Sequence, residues 1–205
     1  MPNDSNSVKM QERAYHHGAL RPALIAAAEA VIAERGVDGF SLRETARRAG
    51  VSPSAPAHHF GDARGLLTAI ATAGFEALGD ALEAASAAGT RDERIRAQGL
   101  AYVDFALRER ARFDVMWRAA LLNGDDPALG AAGRRAFGLL DSAVRGEGAM
   151  REGPADPALA PSIACWATVH GFARLAMDGA FGTEPGAAEQ AADALLPAVL
   201  DRVSV

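Results

Sequence analysis

Two histidine pairs, His16-His17 and His58-His59, hold four of the five histidines in the chain. Imidazole nitrogens can bind metal ions, act as general bases or donate hydrogen bonds to phosphates. Adjacent residues on a helix point about 100° apart, so neither pair makes a good chelate. We therefore favour a hydrogen bond from His59 to a phosphate, and contact of His58 with a phosphate or a base edge, over metal binding.

The sequence lacks the common motifs of enzymes. It holds no glycine-rich phosphate loop, no His-Glu-x-x-His and no Cys-x-x-Cys. Cys165, the single cysteine, is most simply a small buried apolar residue. We predict no catalytic residue, no metal site and no cofactor. A metalloenzyme in which the two histidine pairs converge with an acidic residue is kept as an alternative.

The second histidine pair lies in a short predicted helix that carries two prolines. Ser52 is a suitable N-cap and Pro53 fits the first helical position, where its missing amide has no consequence. Pro56 would then be the fourth helical residue and remove the first intrahelical hydrogen bond. A helix that tolerates this is suited to entering the DNA major groove with its N-terminal turn. Close approach to bases is allowed by its small residues, Ser54, Ala55 and Ala57.

The preceding helix begins at a Ser-x-x-Glu pattern, Ser41 to Glu44, which predicts a reciprocal capping box. The helix closes at Ala49-Gly50, so the two short helices form a helix-turn-helix over residues 41–60. Arg43 and Thr45 lie in its first turn, where the helix dipole favours an anion, and we predict that both bind phosphate. Arg47 and Arg48 are interpreted as a solvated face.

The charge of the chain permits a DNA-binding end without requiring one. The formal net charge is −5, but residues 1–67 hold eight Lys or Arg against seven Asp or Glu. Residues 1–17 are polar and are predicted to form a flexible arm, which either follows DNA or stays a disordered leader. No apolar run is long enough for a membrane span and no signal peptide is recognised, so we expect a cytoplasmic protein.

Helical spacing extends over the rest of the chain, and we predict an all-α fold. Residues 18–67 form the DNA-binding domain and residues 68–205 a larger C-terminal domain. A Gly- and Pro-rich loop is predicted over residues 146–161, and Pro197 lies inside the last helix. The two closing helices are predicted over residues 162–180 and 187–203.

Residues 18–67 resemble the DNA-binding domain of the tetracycline-repressor (TetR) family of bacterial regulators. The resemblance covers about fifty residues in the family's order and spacing. It rests on Gly36, Phe40-Ser41-Leu42-Arg43-Glu44, Ala49-Gly50-Val51-Ser52, His59-Phe60 and Leu66-Leu67.

The C-terminal part resembles one branch of that family, whose closing domain carries a Trp-x-x-x-His-Gly motif. Here the motif reads Trp166 to Gly171, and Arg112 to Met116 is similar to the same branch. His170 is either a hydrogen-bonded core residue or part of a ligand pocket. The candidate pocket residues are Phe105, Met116, Trp117, Trp166, His170 and Met177.

The resemblance implies a homodimeric regulator, expected to be a repressor, that leaves its operator when a small-molecule inducer of unknown identity binds the C-terminal domain. The last two helices would form the dimer interface, and two recognition helices about 34–36 Å apart would require a near-palindromic operator. The family often has Tyr at Ala57 and Lys at Ala63, so one or two phosphate contacts are expected to be missing there, and Arg64 and His58 could compensate. A ligand- or partner-binding protein with a non-functional helix-turn-helix is the main alternative. The predicted DNA contacts are Arg43, Thr45, Ser52, Ser54, Ala57, His58, His59 and Arg64.

Overall fold

The computed structural model of the chain describes residues 5–86, 89–146 and 156–202, and for residues 5–19 only the backbone. All regular secondary structure within these ranges is helical, which confirms the predicted all-α fold. Short 3₁₀ turns occur at Val37–Gly39, Ala119–Leu121 and Pro157–Leu159. The α-helices are α1 Ser5–Arg35, α2 Leu42–Arg48, α3 Ala55–Phe60, α4 Ala63–Ala85, α5 Arg91–Arg108, α6 Arg110–Met116, α7 Pro127–Arg145, α8 Ala160–Met177 and α9 Ala187–Leu200.

The first three helices and the start of α4 form the predicted helix-turn-helix unit. α2 packs against α1 and α3, and α3 packs against α4. The predicted apolar face of α1 is confirmed, since Leu24, Ala28, Val31 and Ile32 are all buried. α1 ends at Arg35, before Gly36, whose positive φ of 71° suits glycine.

The helix α1 starts earlier than predicted. It begins at Ser5, so the backbone of residues 5–17 is helical where a flexible arm was expected. No proline or glycine occurs between Ser5 and His17 to stop the helix. Residues 1–4 of the predicted arm lie outside the described residues.

The predicted capping box of α2 is wrong. Ser41 is the N-cap residue, but its side chain makes no capping hydrogen bond. The Glu44 carboxylate instead accepts from Arg47 at 2.8 Å and from Arg48 at 3.1 Å. Charge-assisted bonds to guanidinium groups are stronger than a bond to a backbone amide, so the carboxylate turns toward them. A capping box does occur at the start of α5, between Thr90 and Glu93.

The recognition helix α3 begins two residues later than predicted. Its N-cap is Ser54, so Pro56 is the second helical residue rather than the fourth. An amide at this position needs no intrahelical acceptor, so Pro56 removes no hydrogen bond. The first intrahelical bond runs from the His58 amide to the Ser54 carbonyl at 3.0 Å. The helix that looked irregular in sequence is therefore regular.

The long helix α4 connects the two domains. It leaves the helix-turn-helix at its N-cap Asp62, whose carboxylate accepts from the Gly65 amide at 2.8 Å, and then packs against α5, α6 and α7. Its length and composition would also suit a membrane span, but half of that stretch is buried inside the molecule. Burial of this kind is typical of a core helix.

The closing helices differ slightly from their predicted bounds. α8 begins at Ala160, inside the predicted loop, after the 3₁₀ turn Pro157–Leu159. Residues 147–155 of that loop lie outside the described residues. α9 ends at Leu200 rather than Val203, with Pro197 in its last turn.

Candidate DNA-binding face and ligand cavity

The exposed surface of α2 and α3 carries most of the predicted DNA contacts. The turn before α3 presents two hydroxyls, because Ser52 Oγ and Ser54 Oγ lie 3.2 Å apart on exposed residues. Arg21 of α1 lies over the Phe60 ring, with 4.9 Å from its Cζ atom to the ring centre, which ties α3 to α1. The exposed residues among the predicted contacts are Arg43, Ser52, Ser54, Ala57, His58 and Arg64.

The arginines of α2 have different surroundings. Arg47 and Arg48 bind the carboxylate of Glu44, and hydrogen bonds from Arg47 and then Arg48 lower the pKa of Glu44 to about 2. Arg43 is exposed and has no hydrogen-bond or ion-pair partner within the residues that the structure describes. It is therefore the arginine of α2 available for an external anion.

The rings of His58 and His59 meet edge to face, with their centres 5.5 Å apart. His58 is exposed, whereas His59 is half-buried with its ring centre 6.4 Å from that of Phe60. The planes differ by 79°, as expected for neighbours that do not chelate one ion together. Within the described side chains, no group of three His, Cys, Asp or Glu could hold a metal ion.

Two predicted DNA contacts have roles inside the protein. The Thr45 side chain is fully buried and its hydroxyl donates to the Ser41 carbonyl at 3.0 Å, so it cannot reach a phosphate. The prediction overlooked that Thr45 lies on the inner face of α2 beside Ala46. The Arg64 guanidinium donates to the Leu122 carbonyl at 2.8 Å, which directs it toward the C-terminal domain rather than toward DNA.

A cavity of about 400 Å³ lies in the C-terminal domain between α4, α5, α7, α8 and the end of α9. Its size is within the usual range for small-molecule sites, and its walls are mainly apolar. Aromatic rings form a large part of the lining: Phe75, Tyr102, Trp117, Phe137 and Trp166.

Two of the six predicted pocket residues, Trp117 and Trp166, line this cavity. Phe105 and Met116 are buried in the core, at 5% and 3% exposure, and do not line it. Met177 is half-buried near the end of α8, outside the lining. The cavity walls also use α4 and α7, from which no pocket residue was predicted, and on α5 they use Tyr102 rather than the predicted Phe105.

His170 does not line the cavity itself, but its side chain is hydrogen-bonded to the hydroxyl of Tyr102, which does. Trp166 Nε1 donates to the Tyr102 hydroxyl at 3.3 Å, and that hydroxyl lies 2.9 Å from His170 Nδ1. An indole can only donate, so the Tyr102 oxygen accepts from it and its proton is available for His170 Nδ1. Burial, and secondly the cation of Arg174, lower the pKa of His170, while burial raises that of Tyr102. His170 is therefore a partly buried, hydrogen-bonded residue behind the lining rather than a lining residue, and burial and Arg174 favour its neutral form.

Two residues of the cavity lining, Gln98 and Trp117, each have one buried polar atom without a partner among the described residues. Gln98 is 1% exposed, and its Nε2 donates to Ser86 Oγ at 2.7 Å and to the Leu139 carbonyl at 3.3 Å. Gln98 Oε1 and Trp117 Nε1 are buried and make no hydrogen bond within the described part of the chain. Gln98 had a readable signal, since it lies between Ile95 and Tyr102 on the apolar face of α5.

Charged side chains in the lining are confined to one end of the cavity. Arg96 on α5 forms an ion pair with Asp201 just beyond α9 and donates to the Pro197 carbonyl at 3.2 Å. The Arg96 side chain is 41% exposed and that of Asp201 is 63% exposed. Asp92, whose side chain is 75% exposed, lies at the same end, which is therefore open to solvent.

The cavity and the helix-turn-helix are linked through α4 and α6. Arg112 on α6 forms an ion pair with Glu29 on α1 at 2.6 Å. The Asn123 amide, in the loop after α6, donates to Thr68 Oγ1 on α4 at 2.9 Å. Trp117, which lines the cavity, directly follows α6.

An open apolar groove lies between α8 and α9. Leu175 and Leu195 in its lining are 53% and 46% exposed. Gly171 also lies in the groove, and a Cβ atom there would meet nothing within 4 Å. The α8–α9 face, defined by this groove, is lined by Thr168, Gly171, Phe172, Leu175, Phe181, Leu195, Ala198, Val199 and Arg202.

Two family descriptions match the chain. Residues 24–70 match the bacterial regulatory proteins of the tetR family. Residues 95–199, about half of the chain, match the tetracyclin repressor-like C-terminal domain. Neither description names a branch, so the resemblance carried by Trp166 to Gly171 stays a prediction. None of the curated protein sequences matches the chain.

Solved structures share the fold along nearly the whole chain. A protein of unknown function from Rhodococcus sp. RHA1 is 35% identical, covers 93% of this chain and 98% of its own, and superposes with a TM-score of 0.68. The TetR family transcriptional regulator PfmR from Thermus thermophilus is 23% identical over 88% of this chain and 96% of its own, with a TM-score of 0.66. AibR, in complex with isovaleryl coenzyme A and operator DNA, is 21% identical over 86% of this chain and 96% of its own, with a TM-score of 0.63.

Proposed function

The chain belongs to the tetR family of bacterial regulatory proteins, and from this premise we propose that it is a homodimeric repressor released from a palindromic operator by a small molecule. The observation that carries the proposal is one continuous helix, α4, that starts beside the recognition helix and ends in the wall of a ligand-sized cavity. The proposed protein acts in the cytoplasm, where its operator DNA is found.

DNA binding would use the outer face of α2 and α3. Arg43 and His59 would contact phosphates, while Ser52, Ser54 and His58 would contact phosphates or base edges. Ala57 is exposed and adds no polar group, so it would only allow close approach of α3 to the bases. Thr45 is no longer among the proposed contacts, and Arg64 is proposed to hold the domains together.

Dimerisation would bury the α8–α9 face. The groove exposes leucines that would contact water in a monomer. An exposed apolar face of this kind is typical of a surface that binds a partner. Gly171 leaves room for close approach of a second helix. A second copy of the chain, related by a two-fold axis, would then place two recognition helices on one side of the DNA.

Release of DNA would follow from contacts of the ligand with α4 and α6. Phe75, Leu78 and Leu82 of α4 line the cavity, and Phe75 lies roughly 20 Å along the helix from Asp62. A ligand that displaces the cavity end of this helix would change the spacing of the recognition helices. A coupling of about 1–3 kcal/mol between the two sites is typical of such systems. The crystal structure of AibR, a protein of this fold, contains both isovaleryl coenzyme A and operator DNA.

Fluorescence anisotropy on the DNA that flanks the gene, titrated at several salt concentrations, tests the proposal. We expect tight binding that falls steeply with salt and exceeds binding to a scrambled duplex. The alternative, a ligand-binding protein with a non-functional helix-turn-helix, is favoured by the small Ala57 and Ala63 on the DNA face. Binding to the flanking DNA no tighter than to scrambled DNA would support that alternative.

A further inference from the structure

We infer that the end of α9 couples the cavity to the proposed dimer interface, so that an atom placed against Leu200 inside the cavity weakens the dimer. The inference rests on the proposed function, because it assumes that the α8–α9 face binds a second copy of the chain. It goes further by giving a ligand a second way to release DNA, beside the displacement of α4.

Residues 197–202, which we call the α9 end, contribute side chains to two different sites. Leu200 and Asp201 line the cavity. The groove of the α8–α9 face is lined, among others, by Ala198, Val199 and Arg202. Successive residues of a helix point about 100° apart, so one turn can serve both sites. The cavity and the proposed interface therefore share the α9 end as a common wall.

Leu200 packs against α5 in a notch at Gly99. Gly99 is buried, and a Cβ atom added to it would lie 2.7 Å from Leu200 Cδ2 and 3.1 Å from Leu200 Cδ1. The same Cβ atom would lie 3.4 Å from Cγ1 of Val169 on α8. Carbon atoms that are not bonded pack best at about 3.5–4.0 Å, so a larger residue in place of Gly99 would displace Leu200. The α9 end is therefore positioned by a close apolar contact on its cavity side.

Arg96 of α5 holds the α9 end by polar contacts. Its guanidinium donates to the Pro197 carbonyl at 3.2 Å and forms an ion pair with Asp201. The two charged side chains are 41% and 63% exposed, so solvent screens the pair and its contribution is small. The packing of Leu200 therefore does more than the ion pair to fix the position of the α9 end.

A group that enters the notch from the cavity moves Leu200 away from α5. Protein interiors are close-packed, so such a shift is passed to the neighbouring residues of the turn. Ala198 and Val199 then lose their positions in the groove, and the fit to a second copy of the chain decreases. By linkage, dimerisation must lower the affinity for this ligand by the same factor.

The weaker dimer would bind its operator less tightly. A dimer binds the two half-sites of a palindromic operator as a linked pair, and this gain is lost when the protomers separate. An apolar ligand that reaches the α9 end would act in this way, because the cavity walls are mainly apolar. This route requires no movement of α4.

Two glycine substitutions in the cavity lining test the coupling. Gly99→Val places methyl groups in the notch and mimics a ligand at Leu200. Gly133→Val makes the same replacement in α7, outside the groove, where an added Cβ atom would meet nothing within 4 Å. Sedimentation velocity with fluorescence detection, over a dilution series, gives the dimer Kd. We expect Gly99→Val to raise this Kd roughly tenfold and Gly133→Val to leave it unchanged.

Removal of the Leu200 side chain assigns the effect to its atoms. Leu200→Ala deletes the methyl groups that the atoms added at Gly99 would meet. In the Leu200→Ala background, Gly99→Val should change the dimer Kd by less than about twofold, because the contact that transmits the shift is gone. A full effect of Gly99→Val in this background would show that Leu200 does not couple the two sites.

Arg96→Met keeps the test decisive if circular dichroism shows that Gly99→Val does not fold. It removes both polar contacts with the α9 end, so we expect the dimer Kd to rise roughly threefold. Arg94→Met is the control on the same helix. Arg94 donates to the Gly89 carbonyl at 2.6 Å and lines neither the cavity nor the groove.

The inference is overturned if Gly99→Val and Gly133→Val give the same dimer Kd, or if the effect of Gly99→Val survives in the Leu200→Ala background. If Gly99→Val is unfolded, equal dimer Kd values for Arg96→Met and Arg94→Met overturn it. The proposed function is read separately, from the unmodified protein, which would reject it by being monomeric or by binding operator no tighter than scrambled DNA. A dimeric, operator-specific protein whose dimer Kd is unchanged by these substitutions would reject the coupling alone.

Discussion

The proposed DNA contacts all lie within residues 41–60, whereas the cavity is lined by side chains from five helices between residues 75 and 201. The polar groups of the first region are exposed and hydrated, so DNA replaces water at Arg43 or His58 at modest cost. Those of the second, Gln98 Oε1 and Trp117 Nε1, are buried without partners. The difference indicates that salt governs the first site, whereas contact with mainly apolar walls governs the second.

The C-terminal domain is also expected to set how tightly the DNA-binding face binds operator, because it carries the proposed dimer interface. Leu195→Arg places a charge in the α8–α9 face and should convert the protein to monomers. Operator affinity should then fall roughly 10²–10⁴-fold, because the two half-sites no longer bind as a linked pair. Sedimentation velocity and anisotropy on the same samples measure both effects.

Leu100→Arg is the matched control for this dimerisation test. Leu100 is 39% exposed on α5 and is not part of the groove, so its replacement should leave the protein dimeric. Both substitutions add one positive charge, which by itself favours DNA binding. A Leu195→Arg protein that stays dimeric would contradict the proposed interface.

Stability is expected to depend on buried charge in the C-terminal domain. Asp141 on α7 is fully buried and accepts from Arg145 at 2.6 Å and from Ser162 on α8 at 2.6 Å. Asp141→Ala leaves Arg145 without its carboxylate, and we expect a loss of about 3–5 kcal/mol in the free energy of unfolding. Urea unfolding followed by circular dichroism measures this loss.

Asp104→Ala provides the exposed counterpart. Asp104 pairs with Arg108 at the same four-residue spacing and a distance of 2.8 Å, but these side chains are 56% and 76% exposed. Solvent screens such a pair, so its removal should cost only about 0.3–0.5 kcal/mol. Equal losses in the two variants would show that burial does not set the strength of these pairs.

On the DNA face, a single unpaired arginine should have a smaller effect. Arg43→Ala should weaken binding to operator and to scrambled DNA alike, by roughly tenfold, because a charge-assisted phosphate contact is lost. The dependence of log affinity on log salt should flatten by about one. Arg47→Ala is the control on the same helix, since Glu44 already binds Arg47. An unchanged salt slope in Arg43→Ala would remove Arg43 from the proposed contacts.

The sequence predicted the helix-turn-helix better than the cavity, because the signals for the helix-turn-helix lie close together along the chain. The order of α2 and α3 could be read from local signals such as Gly36 and Gly50, which lie next to the helix ends that they mark. Errors there were small: α3 starts at Ala55, with Ser54 rather than Ser52 at the N-cap position, and Glu44 binds arginines rather than an amide.

The cavity could not be predicted in the same way. Phe75, Tyr102 and Phe137 occur at helical spacing on three helices, where pocket walls and core have the same pattern. Only the packing of α4, α5 and α7 distinguishes Phe105, which fills the core, from Tyr102, which lines the cavity. Burial in three dimensions, rather than residue type, decides this.

The smallest expected effect is a pH dependence of stability that arises from His170 in the C-terminal domain. Burial, with Arg174, lowers the pKa of His170, so below about pH 6.5 the unfolded chain binds a proton that the folded chain does not yet bind. The free energy of unfolding therefore decreases as pH falls through that window, and above it His170 has no effect on the pH dependence. His170→Asn removes this contribution, so the stability advantage of the unmodified protein should be constant from pH 8 to 7 and shrink toward pH 5.5.

Urea unfolding of both proteins at each pH measures this difference, and subtraction cancels the carboxylates that titrate in both. The slope should correspond to less than one proton, because His170 is only partly buried. An advantage that grows as pH falls would mean that the folded protein stabilises a charged His170, which its bond to the neutral Tyr102 hydroxyl and the nearby Arg174 oppose. If His170 acts only in the C-terminal domain, the ratio of the two proteins' operator affinities should stay constant over the same pH range, because His58 and His59 on the DNA face are present in both.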